Sequence, residues 1–581
     1  MVIKPQRAAG VDTMVTIKQR YAYAGQRRIH YRRAGQGAPL VLLHASPGSS
    51  FSLQWLIKRL ADQRTVIAID TPGYGESTGL GLEKPEIADY AAALAESLNV
   101  LKLDRIDLYG SHTGAKIALE FAVRHPARVR RLVLDGVALF TPEERAEVLE
   151  HYTPSLTPQW DGSHLVRAWA MRRDMHIFWP WYRRSAEARL VADMPSPEAL
   201  HGMVVDFLRA GANYWQGYHA AFRYEVPGAL RRLGVPTLLL AAASDPLHSH
   251  LDRVDDLPAN VKVMALDVSA SEQEVVAERV QDFLAGEPLP NAPAPPPVPS
   301  APGVVYRDYV DTSVGQLLMR RSGNSAGRPL LLLHAIPVSS ASVESLLLAM
   351  GTDRPVITFD IPGTGDSAPV PGVPEVWDLA QVLTEATEAL GLEDCDVYGT
   401  AAGALIALEL ALARPRQVCH LILDGPPLIS TAEAQELLAN FAPPMRMSWD
   451  GGHLIWAWNF LRDLVLWWPS HNRTAKNALV KATPPSPEAH HARLVDFVKG
   501  GTTYHLNYRA VFGYPMRTRL PMVTTPMLVC ATSANRFFRA VHSEIPGLVP
   551  HAHVRAIGGT AGVELYRRFL ADQPLLEESS V

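Results

Sequence analysis

A histidine flanked by two glycines is the feature of this chain most suggestive of chemistry. His112 lies at the centre of Gly110-Ser111-His112-Thr113-Gly114, between a strand-like run and a helix-like run. Glycines four positions apart allow a sharp strand-to-helix turn that presents the middle side chain above the sheet edge, as in a nucleophile elbow, where that residue is usually serine. An exposed imidazole with a near-neutral pKa can act as a general base.

Internal repetition determines how the elements around this turn are organised. Four motifs recur in the same order, each 289 or 290 residues later. Such long and constant spacing indicates duplication of one whole domain and not a short solenoid repeat. The pairs are His44-Ala45-Ser46-Pro47 with His334-Ala335-Ile336-Pro337, Asp70-Thr71-Pro72-Gly73 with Asp360-Ile361-Pro362-Gly363, Gly110-Ser111-His112-Thr113-Gly114 with Gly399-Thr400-Ala401-Ala402-Gly403, and Trp160-Asp161-Gly162 with Trp449-Asp450-Gly451.

A proline-rich stretch separates the two copies. Residues 288–299 contain so many prolines that they cannot form a hydrogen-bonded ladder, which favours an extended, semi-rigid spacer. We therefore predict a flexible N-terminus at 1–13, domain 1 at 14–286, a linker at 287–303, domain 2 at 304–574 and an acidic tail at 575–581.

Each copy alternates β-rich runs with amphipathic helical patterns, which is typical of a doubly wound, mostly parallel sheet. A long, aromatic-rich helical segment interrupts this alternation, and it predicts an inserted helical cap at about 138–232 and again at about 427–522. In the first copy the predicted strands are Pro39 to Leu43, Thr65 to Ile69, Arg105 to Tyr109, Arg131 to Asp135, Thr237 to Ala241 and Val261 to Leu266.

Taken in order, the His-x-x-Pro and Asp-x-Pro-Gly-x-Gly motifs, the elbow, the cap and a late aspartate resemble the α/β-hydrolase superfamily over nearly all of both halves. The resemblance implies an α/β protein made of two tandem α/β-hydrolase folds, each with an inserted helical cap. It implies less about the reaction, because this fold is shared by esterases, epoxide hydrolases, dehalogenases, C–C hydrolases, lyases and cofactor-free oxygenases.

The family's triad runs nucleophile, acid and histidine in chain order. By position, the resemblance assigns His112 to the elbow and Asp245 to the acid, whereas the loop after Leu266 contains no histidine. A standard Ser-His-Asp mechanism is therefore not expected. We expect a His112–Asp245 dyad in which Asp245 orients the ring and His112 removes a proton. The alternative is that His112 only fills the elbow of a dead site.

The second copy has lost these groups. Its elbow residue is Ala401, its acid position is Asn535, and its last loop is Gly558-Gly559-Thr560-Ala561. We interpret this copy as a pseudoenzyme domain retained for packing, for an interface or for binding.

Other candidate site residues follow from the resemblance and from the caps. The family's oxyanion donors map to the backbone N–H groups of Ser46 and Thr113, which require no particular side chain. The candidate substrate-binding residues are His44, His164, Trp160, Trp169, Tyr214 and Tyr218. Each also has a structural interpretation, since the second copy repeats His44 and His164 and keeps aromatic residues throughout its cap.

Composition excludes several classes of function. The chain has a net charge of −4 and 20% charged residues, with no long basic run, so neither nucleic acid nor a membrane is expected as a partner. No signal-like segment and no apolar run of about 20 residues occurs. Three cysteines without metal-type spacing are typical of a reduced, cytoplasmic protein. The pair His248 and His250 lacks further ligands, so neither a metal nor a cofactor is expected.

Together these features predict a hydrolase of a small hydrophobic or aromatic ester, thioester or lactone, using the His112–Asp245 dyad in domain 1. A cofactor-free lyase, cyclase or isomerase with His112 as its base is the first alternative, and a non-catalytic binding protein of two inactive folds is the second. The two halves are expected to form an intramolecular pseudo-dimer. Further oligomerisation and the identity of the substrate do not follow from the sequence.

Overall fold

The computed structural model describes residues 15–267, 272–324, 326–480, 482–532, 535, 537–557 and 561–575. The predicted flexible N-terminus and residues 576–581 of the predicted acidic tail lie outside this described part. The same holds for residues 268–271 and 558–560, the two loops in which the family's histidine was sought.

Two eight-stranded sheets form the framework, one in each repeat. Both sheets have the same strand order when each is read from its N-terminal strand, being β1-β2-β4-β3-β5-β6-β7-β8 in the first and β9-β10-β12-β11-β13-β14-β15-β16 in the second. The strands are β1 (Lys18–Ala24), β2 (Arg27–Ala34), β3 (Pro39–Leu43), β4 (Thr65–Ile69), β5 (Ile106–Ser111), β6 (Val129–Asp135), β7 (Thr237–Ala242), β8 (Val261–Leu266), β9 (Tyr306–Thr312), β10 (Gly315–Ser322), β11 (Leu330–Leu333), β12 (Val356–Phe359), β13 (Cys395–Thr400), β14 (Val418–Asp424), β15 (Met527–Thr532) and β16 (His553–Ile557).

In each sheet the first two strands form an antiparallel hairpin, and the second of them also runs antiparallel to the fourth strand of its repeat. The remaining strand pairs are parallel. Parallel strands buried on both faces have continuous apolar sequences. Accordingly, β3 and β4 are fully buried in the first sheet, as β11 and β12 are in the second. The prediction of two tandem, mostly parallel, doubly wound sheets is confirmed.

Helices flank both sheets and supply the caps. In chain order they are α1 (Gln54–Leu60), α2 (Ile87–Val100), α3 (Thr113–Arg124), α4 (Pro142–His151), α5 (Ser163–Asp174), α6 (Pro197–Arg209), α7 (Trp215–Arg223), α8 (Val226–Arg231), α9 (Glu272–Phe283), α10 (Glu344–Met350), α11 (Val376–Ala389), α12 (Ala402–Ala413), α13 (Thr431–Asn440), α14 (Gly452–Leu466), α15 (Pro487–Lys499), α16 (Tyr504–Gly513), α17 (Met516–Arg519), α18 (Phe538–Leu548) and α19 (Ala561–Leu570).

The chain forms two compact units that do not divide simply at the linker. Unit 1 consists of Met1–Ser155, Arg173–Met194 and Arg209–Pro297, and unit 2 consists of Leu156–Arg172, Pro195–Leu208 and Val298–Val581. Most of α5 and α6, which belong to the first cap by sequence, therefore lies in unit 2. Within the described residues, no helix combines the length and apolar character needed to cross a membrane.

Candidate functional site

The turn between β5 and α3 holds His112 in a strained backbone conformation. His112 has φ 51° and ψ −107°, which are uncommon angles for a residue with a side chain. Its own N–H donates to Asp135 O at 2.9 Å, which fixes the turn to the end of β6. Gly114 permits the close packing, because a Cβ there would lie 2.4 Å from Leu43 O. The predicted elbow is therefore present in unit 1.

The side chain of His112 reaches the predicted acid. His112 Nε2 lies 2.8 Å from Asp245 Oδ2, and Leu247 N–H donates to the other carboxylate oxygen at 2.8 Å. Gly136, just after β6, leaves room for this pair, since a Cβ there would lie 2.5 Å from Asp245 Oδ2 and 2.7 Å from His112 Nε2. The structure thus brings His112 and Asp245 together directly, with no intervening residue.

The electrostatics of His112 and Asp245 favour an ion pair between them. Burial alone lowers the pKa of an imidazole, but the charge and hydrogen bond of Asp245 outweigh burial, and the pKa of His112 lies above 6.5. Burial likewise opposes ionisation of Asp245, yet His112 holds the pKa of that carboxyl below its ordinary value. With Asp245 ionised, Nε2–H donates to it, and Nδ1 of the 36% exposed imidazole carries the basic lone pair.

Asp135 is a second carboxyl at the site that the sequence reasoning did not single out. The hydroxyl of Tyr109 donates to Asp135 Oδ2 at 2.5 Å. Burial raises the pKa of Asp135 to about 7, so this carboxyl exchanges its proton near neutral pH. The recurrence of Leu134-Asp135-Gly136 as Leu423-Asp424-Gly425 was the signal in the sequence that could have revealed it.

Lys116 is a second group that sequence reasoning missed. It lies one turn into α3, is buried, and donates from Nζ to Ala221 O at 2.8 Å. Lys116 Nζ also lies 5.3 Å from the centre of the Phe140 ring. Burial lowers the pKa of Lys116 to about 7, so a large part of this amine is neutral at physiological pH. The second repeat has Leu405 in its place.

A cavity of about 240 Å³ adjoins the dyad. It combines three carboxyl groups with apolar walls, and no lysine or arginine lines it among the described residues. Ser244 Oγ donates to Glu272 Oε1 at 2.7 Å at its edge. The lining residues are Trp55, His112, Asp135, Ala242, Ser244, Asp245, Pro246, Glu272, Gln273 and Val276.

The predicted oxyanion donors lie on adjoining turns. Thr113 begins α3, where the amide groups of a helix have no partner within the helix. Ser46 lies in the loop after β3. The start of α3 packs closely on this loop at Gly114, where a Cβ would lie only 2.7 Å from His44 O. The backbone N–H groups of Ser46 and Thr113 therefore stay the predicted oxyanion donors.

His44 braces that loop with both of its ring nitrogens. Nδ1–H donates to Ala45 O at 3.0 Å, and Nε2 accepts from Thr71 N at 3.0 Å. The side chain is buried. His334 repeats the arrangement in unit 2 with Ala335 O and Ile361 N. His44 Nε2 also lies 3.1 Å from Thr71 Oγ1. These bonds brace the loop, and substrate binding by His44 stays a prediction.

Tyr214 and Tyr218 are buried in the part of the cap that belongs to unit 1. The Tyr214 hydroxyl donates to Pro154 O at 2.5 Å, while its carbonyl accepts from Tyr74 at 2.7 Å. The Tyr218 ring packs on Tyr152, with 5.2 Å between ring centres. Both residues pack within the cap, and substrate binding by them stays a prediction.

Trp160, His164 and Trp169 lie in unit 2, so the structure does not place them in one unit with His112. Trp169 Nε1 donates to Trp449 O at 3.0 Å, and Trp458 Nε1 donates to Trp160 O at 2.9 Å. The two bonds are equivalent by sequence repeat. Both bonds join cap residues of this unit, and substrate binding by Trp160 or Trp169 stays a prediction.

His164 belongs to a relay of hydrogen bonds in unit 2. Gln159 N–H donates to His164 Nδ1 at 3.1 Å, so the ring proton is on Nε2, which donates to His491 Nδ1 at 3.2 Å. His491 Nε2–H in turn donates to Leu208 O at 3.4 Å. Both imidazoles are neutral in this arrangement, because each Nδ1 must accept a hydrogen bond.

A second relay repeats the first through the equivalent residues. Ser448 N–H donates to His453 Nδ1 at 3.3 Å, His453 Nε2–H donates to His201 Nδ1 at 3.0 Å, and His201 Nε2–H donates to Val498 O at 3.3 Å. Burial lowers the pKa of both His164 and His453 to about 4. The relays join cap residues of unit 2, and substrate binding by His164 stays a prediction.

His250, close after Asp245 in the chain, has a local hydrogen-bond partner. His250 Nδ1 accepts from Leu139 N at 2.9 Å, and burial lowers its pKa to about 4. Among the residues that the structure describes, no group of three or more histidine, cysteine, aspartate or glutamate side chains is placed to hold a metal ion.

The elbow of the second repeat keeps the backbone without the side chains. Ala401 has φ 49° and ψ −117°, close to the angles of His112. Asn535 takes the place of Asp245, and its Oδ1 accepts from Phe537 N at 2.8 Å as Asp245 accepts from Leu247 N. In the second repeat the methyl group of Ala401 therefore replaces the imidazole of His112, and the amide of Asn535 replaces the carboxylate of Asp245.

Comparison with known proteins gives a family match and partial relatives. A family model described as the alpha/beta hydrolase fold matches residues 38–267 and 328–446, more than half of the chain. A 2-hydroxy-6-oxo-2,4-heptadienoate hydrolase of Pseudomonas putida is 35% identical over 24% of this chain and 51% of its own length. A 2-hydroxymuconate semialdehyde hydrolase of a Pseudomonas species is 37% identical over 22% of this chain and 47% of its own length.

The chain thus spans about half the length of the curated relatives it matches. Among solved structures, epoxide hydrolase A from Mycobacterium thermoresistibile is 22% identical, with a TM-score of 0.38, over 46% of this chain and 98% of that one.

Proposed function

Because the chain belongs to the family of the alpha/beta hydrolase fold, we propose that its first repeat is a hydrolase of a small hydrophobic or aromatic ester, thioester or lactone. The observation that carries this proposal is the 2.8 Å contact between His112 Nε2 and Asp245 Oδ2 at the elbow. The relatives named above as hydrolases of small molecules support it.

In the proposed mechanism His112 acts on water and not on the carbonyl carbon. Nδ1 accepts a proton from a water molecule, and the oxygen of that water attacks the carbonyl carbon. The N–H groups of Ser46 and Thr113 stabilise the oxyanion that develops. The imidazolium, held by Asp245, then returns the proton to the leaving oxygen or sulfur, which balances the reaction.

The second repeat is proposed to be catalytically inactive. Ala401 and Asn535 provide neither a nucleophile nor a base, although the elbow backbone is kept. Its retained function in this proposal is structural.

Turnover of a panel of aryl esters and thioesters between pH 5 and 9 tests the proposal. Wild type is expected to hydrolyse members of the panel at a rate that rises with pH around a midpoint above 6.5. His112→Ala is expected to lose about 100-fold to 10,000-fold of this activity. Ala401→His is the matched control at the other elbow and is expected to leave the rate unchanged. Equal rates for wild type and His112→Ala would exclude hydrolysis by the dyad.

The central residue of the elbow, His112, has no hydroxyl nucleophile. This favours one alternative function, a lyase, cyclase or isomerase in which His112 takes a proton from the substrate itself. Product formed in water labelled with oxygen-18 separates the two. Hydrolysis transfers the label into the acid product, whereas proton transfer within the substrate does not. A chain that binds ligand and turns over nothing would be a non-catalytic binding protein.

A further inference from the structure

An arginine at the end of α7 in unit 1 holds the start of α2. Arg223 Nε donates to Glu86 Oε1 at 3.0 Å, and Arg223 Nη2 donates to Pro85 O at 3.0 Å. Only 20% of the Arg223 side chain is exposed. One carboxylate and one carbonyl oxygen therefore bind this guanidinium within the fold.

Gly513 is the counterpart of Arg223 in unit 2, because the bonds on both sides of this position are equivalent in the two repeats. The tyrosine after it donates to a glutamate of the helix that follows the elbow, and an earlier tyrosine donates to a proline carbonyl. The bonds are Tyr224 to Glu120 and Tyr214 to Pro154 O in unit 1, and Tyr514 to Glu409 and Tyr504 to Pro443 O in unit 2. Between these tyrosines α7 and α16 therefore align residue for residue.

Unit 2 keeps the acceptors of that guanidinium without the arginine. Glu375 caps α11 as Glu86 caps α2, each in a capping box with an aspartate, and Pro374 precedes it as Pro85 precedes Glu86. A Cβ added at Gly513 would have no atom within 4 Å beyond its chain neighbours and its own helix backbone. Pro374, Glu375 and Gly513 line a cavity of about 270 Å³, named here the Gly513 cavity.

Two further residues of the Gly513 cavity differ from unit 1. Trp377 is 47% exposed and takes the place of Ala88. Arg509 is exposed and takes the place of His219. In the described part of the chain, Arg509 has no hydrogen-bond or ion-pair partner, and Glu375 has no ion-pair partner. The cavity therefore contains one acidic and one basic side chain that do not pair with each other.

These charges select a ligand with two charged ends. The open place beside Glu375 fits a guanidinium like that of Arg223, and the exposed indole of Trp377 attracts the same cation. Arg509 favours a carboxylate, which its planar guanidinium can bind through two parallel hydrogen bonds. The rest of the lining is mainly apolar, which favours an alkyl chain between the two charges.

We propose that the Gly513 cavity binds a small guanidino carboxylate. The guanidinium of this ligand donates to Glu375 and to Pro374 O, and its carboxylate accepts from Arg509. The site does not depend on the hydrolysis proposed for the first repeat. It gives the second repeat a binding role in addition to its structural one.

Isothermal titration of the full chain at low ionic strength tests this site, because salt screens exposed charges. The probes are 3-guanidinopropanoate, 4-guanidinobutanoate and L-arginine, which differ in the chain between their charges. At least one of them is expected to bind with one molecule per chain.

Two analogues of the tightest probe test the two charges. An alkylguanidine without the carboxylate, and a ureido acid with a neutral urea in place of the guanidinium, are each expected to bind at least about tenfold more weakly. The proposal is wrong if none of the three probes binds, or if either analogue binds as tightly as its parent.

Gly513→Arg places the side chain of the first repeat in the cavity. This variant is expected to abolish binding of the tightest probe, because its guanidinium pairs with Glu375. Gly513→Ala is the matched control and is expected to keep wild-type affinity, since a Cβ has room there. Wild-type affinity in Gly513→Arg would place the ligand elsewhere and overturn the proposal.

Arg509→Met keeps the proposal testable if Gly513→Arg does not fold. It is expected to weaken binding of the tightest probe at least about tenfold and to leave the weaker binding of the alkylguanidine unchanged, because only the carboxylate loses its partner. An equal loss for both ligands would contradict the assignment of Arg509. Ester turnover by Arg509→Met is expected to match that of wild type, so a failure of this site and a failure of the proposed hydrolysis are measured separately.

Discussion

The elbow of the first repeat and the elbow of the second have nearly the same backbone and different side chains. His112 and Ala401 differ by only a few degrees in φ, and both lie in the left-handed region. The acid beside the elbow also differs, because Asn535 takes the place of Asp245. The strained turn therefore belongs to the fold and survives without a reactive side chain. Backbone strain alone does not identify an active elbow here, and the side chains around it must be examined.

The brace beneath each elbow supports the same lesson. His44 and His334 bond to the equivalent backbone groups in the two repeats. Tyr109 and Tyr398 bond to the equivalent aspartates. Groups that hold the turn are kept in both repeats, whereas the groups proposed to do chemistry are found in one.

The largest expected effect comes from making the first acid like the second. Asp245→Asn removes the charge that orients His112 and holds its proton, and we expect turnover of the best ester to fall about 100-fold to 10,000-fold. Steady-state kinetics measures this change. Asn535→Asp is the matched control and is expected to leave turnover unchanged. A minor loss in Asp245→Asn would mean that His112 works without its partner.

Adding one methyl group beside the pair is expected to have the next largest effect. Gly136→Ala places a Cβ against both His112 and Asp245, and the residue has φ 63°, so we expect at least about a tenfold loss of kcat and a stability cost of about 1 to 3 kcal/mol. Gly425→Ala, at φ 57° beside Asn535, is expected to cost similar stability without loss of rate. Kinetics and chemical denaturation of both variants measure the difference. Equal kinetics in the two variants would contradict the comparison.

The pH dependence of the dyad is the third test. Because the pKa of His112 is raised above 6.5 by Asp245, the activity of wild type is expected to rise with pH around a midpoint above 6.5. In Asp245→Asn the midpoint is expected to move to lower pH. The same shift makes His112 stabilise the fold below pH 6.5, a contribution that is lost as the pH rises through its folded pKa. Rate profiles and denaturation at several pH values check both signs.

The smallest effects are expected in the cap helices of unit 2, where the repeats contribute equivalent contacts. Trp169→Phe and Trp458→Phe each remove one indole hydrogen bond, and we expect each to cost about 1 to 3 kcal/mol of stability. The two losses are expected to agree within about 0.5 kcal/mol. Chemical denaturation measures them, and a large inequality would show that the two bonds are not equivalent.

Acid is expected to weaken the same helices. The pKa values of His164 and His453 are lowered to about 4 by burial, so the unfolded chain binds these protons more readily than the folded chain. Stability is therefore full above pH 6.5 and falls as the pH decreases from 6.5 towards 4. Denaturation midpoints at pH 7 and pH 5 measure the loss. The double variant His164→Gln with His453→Gln is expected to reduce this dependence.

Much of the framework could be predicted from the sequence. The predicted strands Pro39 to Leu43 and Thr65 to Ile69 agree with β3 and β4, because buried parallel strands require short apolar runs bounded by loops. The elbow could be predicted because Gly110 and Gly114 flank His112 at the spacing that a tight strand-to-helix turn requires. The equal spacing of repeated motifs predicted two copies of one fold. All of these signals are short stretches of sequence or the spacing between them, so they can be recognised without knowing the fold.

Other features were decided by the tertiary structure alone. Aromatic residues such as Trp169 are apolar whichever helix buries them, so the sequence could not assign α5 and α6 to the second compact unit. The surroundings of the two strand-end aspartates were also decided in three dimensions. Asp424 accepts from the hydroxyls of both Tyr398 and Tyr566, and Tyr566 lies 142 residues further along the chain. Direct contact of His112 with Asp245 required two loops 133 residues apart to meet over Gly136. Such juxtapositions depend on three-dimensional packing, which sequence spacing does not record.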